Sequence, residues 1–161
     1  MENRFYCSDP WLDPFREVIE ARLKYTGERE KLFTGSRSLT DFANGHHWYG
    51  LHRTPKGWVF REHAPNASSV TLTGTFNNWK EEMRYSLVRT AGGDWVGEFD
   101  EGMLSHGDLY KMIVRWKGGH GERIPSYVTR AVQDDVTKIF SAQVWHPEQG
   151  YVMKHPAPPP P

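Results

Sequence analysis

The chain has 161 residues, with 20 Lys+Arg against 20 Asp+Glu and a single cysteine, so it can form one ordinary domain plus an appendage without a disulfide framework. Balanced charge without a long run of either sign excludes the basic field that holds nucleic acid or an anionic membrane, and no stretch approaches the roughly 20 apolar residues of a membrane span. The expected partner is neutral. The lone Cys7 is read as an incidental thiol, and with no apolar signal-peptide core near the N-terminus the expected setting is reducing and cytoplasmic. Seven Trp and seven Tyr exceed what a small core consumes, so some are expected to face outward.

In chain order, Asp13-Pro14 predicts a helix start, with Asp13 as N-cap, and Phe15, Val18, Ile19, Arg22 and Leu23 recur at helical spacing until Gly27 offers a stop. A second, short helix is predicted from Ser38, where "SLTD" has capping-box form, to the Asn44-Gly45 turn. Both are amphipathic and should lie on something larger. From Trp48 the texture changes to short strands, predicted at 48–53, 57–63, 69–76, 85–89, 94–99, 108–116, 127–132 and 138–145, with "TPKG", "TAGGD" and "KGGHGE" as turns. This pattern is mainly β: an immunoglobulin-like β-sandwich with an N-terminal α-helical segment. The predicted core includes Trp58, Phe60, Val70, Leu72, Phe76, Trp95, Phe99 and alternate residues of "LYKMIVRW". The expected divisions are a helical segment over 1–45, the sandwich over 46–147 and a proline-rich, semi-rigid linker over 148–161.

No reaction is written in this sequence. The carboxylate pairs Glu81-Glu82, Asp100-Glu101 and Asp134-Asp135 are sequence neighbours that point apart, whereas a glycosidase pair must converge across a bond. "GGHG" at 118–121 lacks the helix of a phosphate loop, and the histidines, His46-His47 included, lack metal-ligand spacing. No catalytic residue, metal or cofactor is therefore expected.

A binding site is a better fit. In "VTLTGTFNNWKEE" the apolar positions Val70, Leu72, Gly74 and Phe76 alternate with threonines, and an Asn-Asn turn then delivers Trp79 among charges. A sugar ring has an apolar C–H face and a rim of hydroxyls, so it needs a flat aromatic wall flanked by polar groups. Trp79 beside Asn77 and Asn78 meets that description, Lys111 could add a donor, and Trp116 is a second candidate wall. Each has a plainer reading: Trp79 packed under its own turn, Trp116 closing an apolar edge, Lys111 idle on a strand.

The order "GLHR…GWVFREHAPNASSVTLTGTFNNW…GGDWVGEF…HGDLYKMIV…RIPSYVTRAVQ…FSAQVWHPEQGYVMKHPAPPPP", with "DPWLDPF" before it, resembles the N-terminal region of eukaryotic-type 1,4-α-glucan branching enzymes over nearly the whole chain. The β-region is similar to carbohydrate-binding module family forty-eight. The resemblance implies an α-1,4-glucan ligand such as glycogen or maltooligosaccharides. It also implies a glycoside hydrolase family thirteen barrel beyond the proline-rich segment, as the partner that carries out branching; a barrel needs about 250 residues. It implies glucan contact at Trp79 and Lys111, with Asn78 beside them by the residue reading above. It implies a second face at His63 and Pro65, where the family's Glu-Trp-Ala-Pro reads Glu62-His63-Ala64-Pro65 and its later aromatic and Lys fall at Gly92-Gly93. Tyr127 stands where the family usually has Trp. Two other readings stay open: a free-standing glycogen-binding module, and an interaction domain that binds no sugar.

Overall fold

The computed structural model describes residues 9–35 and 37–155; Cys7 and the last prolines of the expected linker lie outside the described residues. The chain divides into two compact units, Met1–Asn44 and Gly45–Pro161.

In the first unit the helix begins and ends elsewhere than the local signals suggested. Asp9, not Asp13, is the cap: its carboxylate accepts the Trp11 N–H at 3.0 Å and starts a 3-10 turn, Pro10–Phe15, that contains Pro14. Asp13 pairs with Arg16 at 2.8 Å. Helix α1 (Arg16–Thr34) runs through Gly27 and stops at Gly35, whose φ of 62° supplies the left-handed exit. One interior glycine costs about 1 kcal/mol, less than the good helix formers of "EREKL" return on its far side. Helix α2 (Leu39–Phe42) is capped as expected by Ser38, which accepts the Asp41 N–H. Among the described residues no helix is long and apolar enough to cross a membrane.

The second unit is the predicted sandwich. Strands β1 (Gly50–Thr54), β2 (Gly57–His63), β4 (Val88–Arg89) and β5 (Asp94–Asp100) form one antiparallel sheet in the order β1-β2-β5-β4. The other contains β3 (Ala67–Gly74), β6 (Leu109–Trp116), β9 (Phe140–Gln143) and β8 (Ala131–Gln133), with β7 (Gly119–Arg123) also paired to β6. Inward residues of the first sheet, Trp58, Phe60, Trp95 and Phe99, meet Val70, Leu72, Tyr110, Met112 and Ala142 of the second, all buried. The indole N–H of Trp58 donates to the Leu104 carbonyl and that of Trp95 to the Ala64 carbonyl, so neither large ring buries an unpaired donor. Burial pushes the Tyr110 phenol well above its usual range, with the nearby Glu62 carboxylate acting in the same direction.

Four β-stretches differ in kind or extent from expectation. "KGGHGE" is not one turn: Lys117-Gly118 is a two-residue hairpin loop and β7 follows it, glycine-rich because pairing to β6, not propensity, holds it in place. The expected strand at 85–89 shrinks to β4, since Met83–Tyr85 turns as a 3-10 segment, and that at 127–132 is replaced by the shorter β8, which begins at Ala131 and ends one residue beyond the expected stretch. Finally, β3 ends at Gly74 rather than Phe76. Residues Thr75–Asn77 form a 3-10 turn, and Phe76 is only partly buried, packing on Tyr85 with ring centroids 4.7 Å apart.

That turn is held by one side chain. Asn77 is 3% exposed; its Oδ1 accepts the Gly74 N–H at 2.9 Å and its Nδ2 donates to the Leu72 carbonyl at 3.3 Å. Asn77 is thus a clamp within the protein rather than a group offered to a ligand. Replacing it by alanine leaves two buried backbone groups without partners, each costing about 1 to 3 kcal/mol. Asn77→Ala is therefore expected to destabilise the domain by about 2 to 4 kcal/mol in urea unfolding, while Asn78→Ala, at an exposed position, changes it far less.

Candidate glucan-binding face

Beyond the clamp the chain enters an uncommon conformation. Asn78 (φ 52°) and Trp79 (φ 59°) both take left-handed backbone angles, and the Trp79 N–H donates back to the Gly74 carbonyl at 2.8 Å. Asparagine tolerates this region; for a residue as bulky as tryptophan it is an outlier, costing on the order of 1 to 3 kcal/mol. The strain is sustained from both ends of the turn. Asn77 fixes its start, and Glu81 fixes its exit by an ion pair with Arg115 of β6 at 2.5 Å.

Trp79 is 41% exposed. Lys111, opposite Thr73 in the β3–β6 register, projects from the outward face of the second sheet, and its Nζ lies 5.7 Å from the centre of the Trp79 ring. The lysine stem is largely covered, with 13% of the side chain exposed, so the ammonium has little freedom to leave. It donates to Glu122 Oε2 of β7 at 2.8 Å. The Thr73 hydroxyl, buried on the same outward side, makes no hydrogen bond. An exposed indole, a donor and an acceptor thus converge at the end of β3, with the exposed Asn78 preceding the indole in the turn.

The other predicted residues do not join this group. Trp116 is five residues along β6 from Lys111, about 17 Å at strand rise and on the opposite face of the sheet. It lies instead with Pro65, Ala64, Asn66, Ala67 and Val114 around a shallow pocket of about 270 Å³. His63, at the end of β2, is on the other sheet. Its Nδ1 is 2.7 Å from Asp94 Oδ1, the same oxygen that accepts the Tyr49 hydroxyl at 3.0 Å. Burial, then the hydrogen bond to Asp94, raises the Tyr49 pKa, so this phenol remains a donor across the neutral range. The Tyr49 ring stacks on Tyr127 at 5.5 Å.

Backbone geometry explains the glycine at position 93. Gly93 has φ 92°, its carbonyl accepts the Ala64 N–H, and a Cβ on it would lie 2.6 Å from the Pro65 Cβ. A side chain there would displace Pro65.

Sequence reasoning missed three parts of this surface. Glu122 fell inside a stretch read as a turn, and only the β6–β7 register brings it diagonally beside Lys111. Glu62, 3% exposed, accepts the Ser126 and His63 N–H groups and so anchors the segment before Tyr127. Trp48 and Trp145 are also exposed, but Arg61 and Arg130 lie 3.9 and 4.0 Å from their ring centres, close enough to stack on one face of each. The lysine at Trp79 stands further off.

Comparison with known proteins agrees with this architecture. The chain is 31% identical over 157 residues to the 1,4-alpha-glucan-branching enzyme of Dictyostelium discoideum and 33% identical over 163 residues to that of Yarrowia lipolytica. These alignments cover 93% and 95% of this chain but 23% of each relative, so the chain spans about a quarter of the length of these enzymes. Among solved structures, pullulanase type I from Bacillus subtilis, complexed with maltose, superposes with a TM-score of 0.52 at 21% identity, over 72% of this chain and 16% of that one; this likeness concerns the fold. Residues 48–129 match the model of carbohydrate-binding module 48, the isoamylase N-terminal domain, and the chain belongs to that family.

Proposed function

We propose that this domain binds α-1,4-glucan and that Trp79, Asn78 and Lys111 form its principal contact. The observation that carries this reading is the strained, exposed tryptophan. A core residue has no need of a left-handed backbone to reach solvent, whereas a stacking wall held at a fixed angle does. The apolar face of a glucose unit would lie on the indole, with Lys111 and Glu122 offering a donor and an acceptor to its hydroxyl rim. Replacing Trp79 by glycine removes the wall and relaxes the backbone together. Trp79→Gly is expected to leave the thermal midpoint near that of the parent and to weaken maltoheptaose binding roughly tenfold or more, by analogy with base stacking on aromatics at about 1 to 3 kcal/mol. A collapse of the midpoint with unchanged glucan affinity would assign Trp79 to packing instead.

The His63 and Pro65 face is proposed as a second, weaker contact, with Trp116 beside Pro65 at its border. What favours it is that His63 is half-exposed and oriented by Asp94 beside Pro65. Imidazole offers a smaller stacking area than indole. His63→Trp should accordingly tighten maltooligosaccharide binding by about 0.5 to 1.5 kcal/mol, read by calorimetry at one pH with circular dichroism as the folding control.

We further read the chain as one module of a 1,4-α-glucan branching enzyme, on the strength of its relatives' names and the share of their length that it spans. In that setting the module would hold glucan near a catalytic barrel of the whole protein, which would be its partner. The domain's own carboxylates have structural work: Glu81 pairs with Arg115, Glu82 with Arg84, Glu101 with Arg53, and Asp134 caps the turn to Thr137. This chain alone is expected to produce no branching or hydrolysis of amylose, measured as reducing ends and as the iodine spectrum. Activity above a buffer control would overturn the modular reading.

A further inference from the structure

The ammonium beside Trp79 would by itself attract anions, and a lysine on a sugar-binding surface is an ordinary phosphate donor. Here it is already neutralised. Glu122 Oε2 lies 2.8 Å from Lys111 Nζ, and because most of the lysine stem is covered the charge cannot swing away from the carboxylate to meet a ligand alone. The next cation on this outward face, Arg115, is held by Glu81. The two cations of the sheet face beside Trp79 are therefore each paired with a carboxylate, whereas Lys80, next to Trp79 in the exposed turn, has no carboxylate within ion-pair distance among the described residues.

We propose that Glu122 is a specificity-determining residue that restricts the Trp79 face to uncharged glucan and rejects chains that carry phosphate. The inference rests on the glucan-binding reading above. A neutral vicinal diol can donate to the Glu122 carboxylate and accept from the Lys111 ammonium at once, so the ion pair suits hydroxyls without breaking. A phosphate monoester carries about 1.5 to 2 negative charges at neutral pH, so most of it has no proton to give the carboxylate. It would gain one attraction from Lys111 and meet one repulsion from Glu122 at similar range, in a partly exposed setting where like charges a few ångströms apart still interact appreciably. Glu122 is itself 57% exposed on an edge strand, so removing its charge leaves no buried group unsatisfied.

The test compares the parent chain with Glu122→Gln, each titrated with maltoheptaose and with maltoheptaose phosphorylated at one 6-hydroxyl, at low and high salt. In the parent, the neutral ligand is expected to bind at least several-fold better than the phosphorylated one. In Glu122→Gln, maltoheptaose loses one charge-assisted acceptor and binds more weakly, while the ratio of the two affinities, the discrimination against the phosphorylated ligand, falls several-fold, the scale of one exposed charge repulsion. Adding Lys111→Gln to that variant should then reduce phosphorylated-ligand binding again, and high salt should shrink the parent's discrimination. If both proteins bind maltoheptaose and the ratio of the two affinities is the same in each, the role of Glu122 is overturned while the glucan reading stands. If neither binds maltoheptaose, the glucan reading fails and the proposal with it.

Discussion

Two sheets that are each apolar on one face are stable in water only when those faces meet. Here the contact is between Trp58, Phe60, Trp95 and Phe99 on one side and Val70, Leu72, Tyr110 and Met112 on the other. At about 25 cal/mol per Å², fully burying each large side chain is worth roughly 1.5 to 3 kcal/mol, so strand register is strongly specified. A one-residue slip of β6 would turn Tyr110 and Met112 out to water and Lys111 into the core. Everything that can meet a ligand on the second sheet follows from that: Lys111 faces outward because its neighbours on both sides must face inward.

The same constraint separates the candidate groups into patches. Lys111 and Trp116 differ by an odd number of positions on one strand, so a register that turns one toward the outer face sends the other to the core side. His63 belongs to the opposite sheet. The arrangement brings an exposed ring, a donor and an acceptor together at the end of β3, and this surface depends on the 75–82 turn keeping its shape. Asn77 and the Glu81–Arg115 pair hold that turn from its two ends. One of the two adjacent asparagines is consumed in building the site and the other is displayed by it.

Charge distribution on this face is a matter of neighbours rather than composition. The chain is neutral overall, and the outward face of β3, β6 and β7 is neutral locally because Lys111 and Arg115 each have a carboxylate within bonding distance. Such pairs add little to global stability when exposed, even where, as with Glu81–Arg115, one sets the path of a local turn. Their consequence lies in what they leave for a ligand: hydrogen-bonding capacity without a strong field, which suits a polyhydroxylated, uncharged molecule.

The sequence by itself determined the fold class, the inward residues of β2, β3, β5 and β6, and the position of Trp79 after a turn, because period-two alternation and turn chemistry are local properties that survive without knowledge of partners. It did not locate β7, whose glycines have little strand preference and which exists because β6 presents an unpaired edge. Nor did it locate the helix start at Asp9 or its continuation through Gly27, where the sum over a turn outweighs a single residue. At the candidate binding face the amino-acid types were legible, but their roles were not. Asn77 and Asn78 look alike in sequence, and only the folded turn buries the first and exposes the second. Glu122 is eleven residues from Lys111 along the chain, and the register of a hairpin brings them together. Local patterns report what each residue prefers; the tertiary structure decided which neighbour each one received, since pairing across strands depends on burial of side chains far away in the sequence.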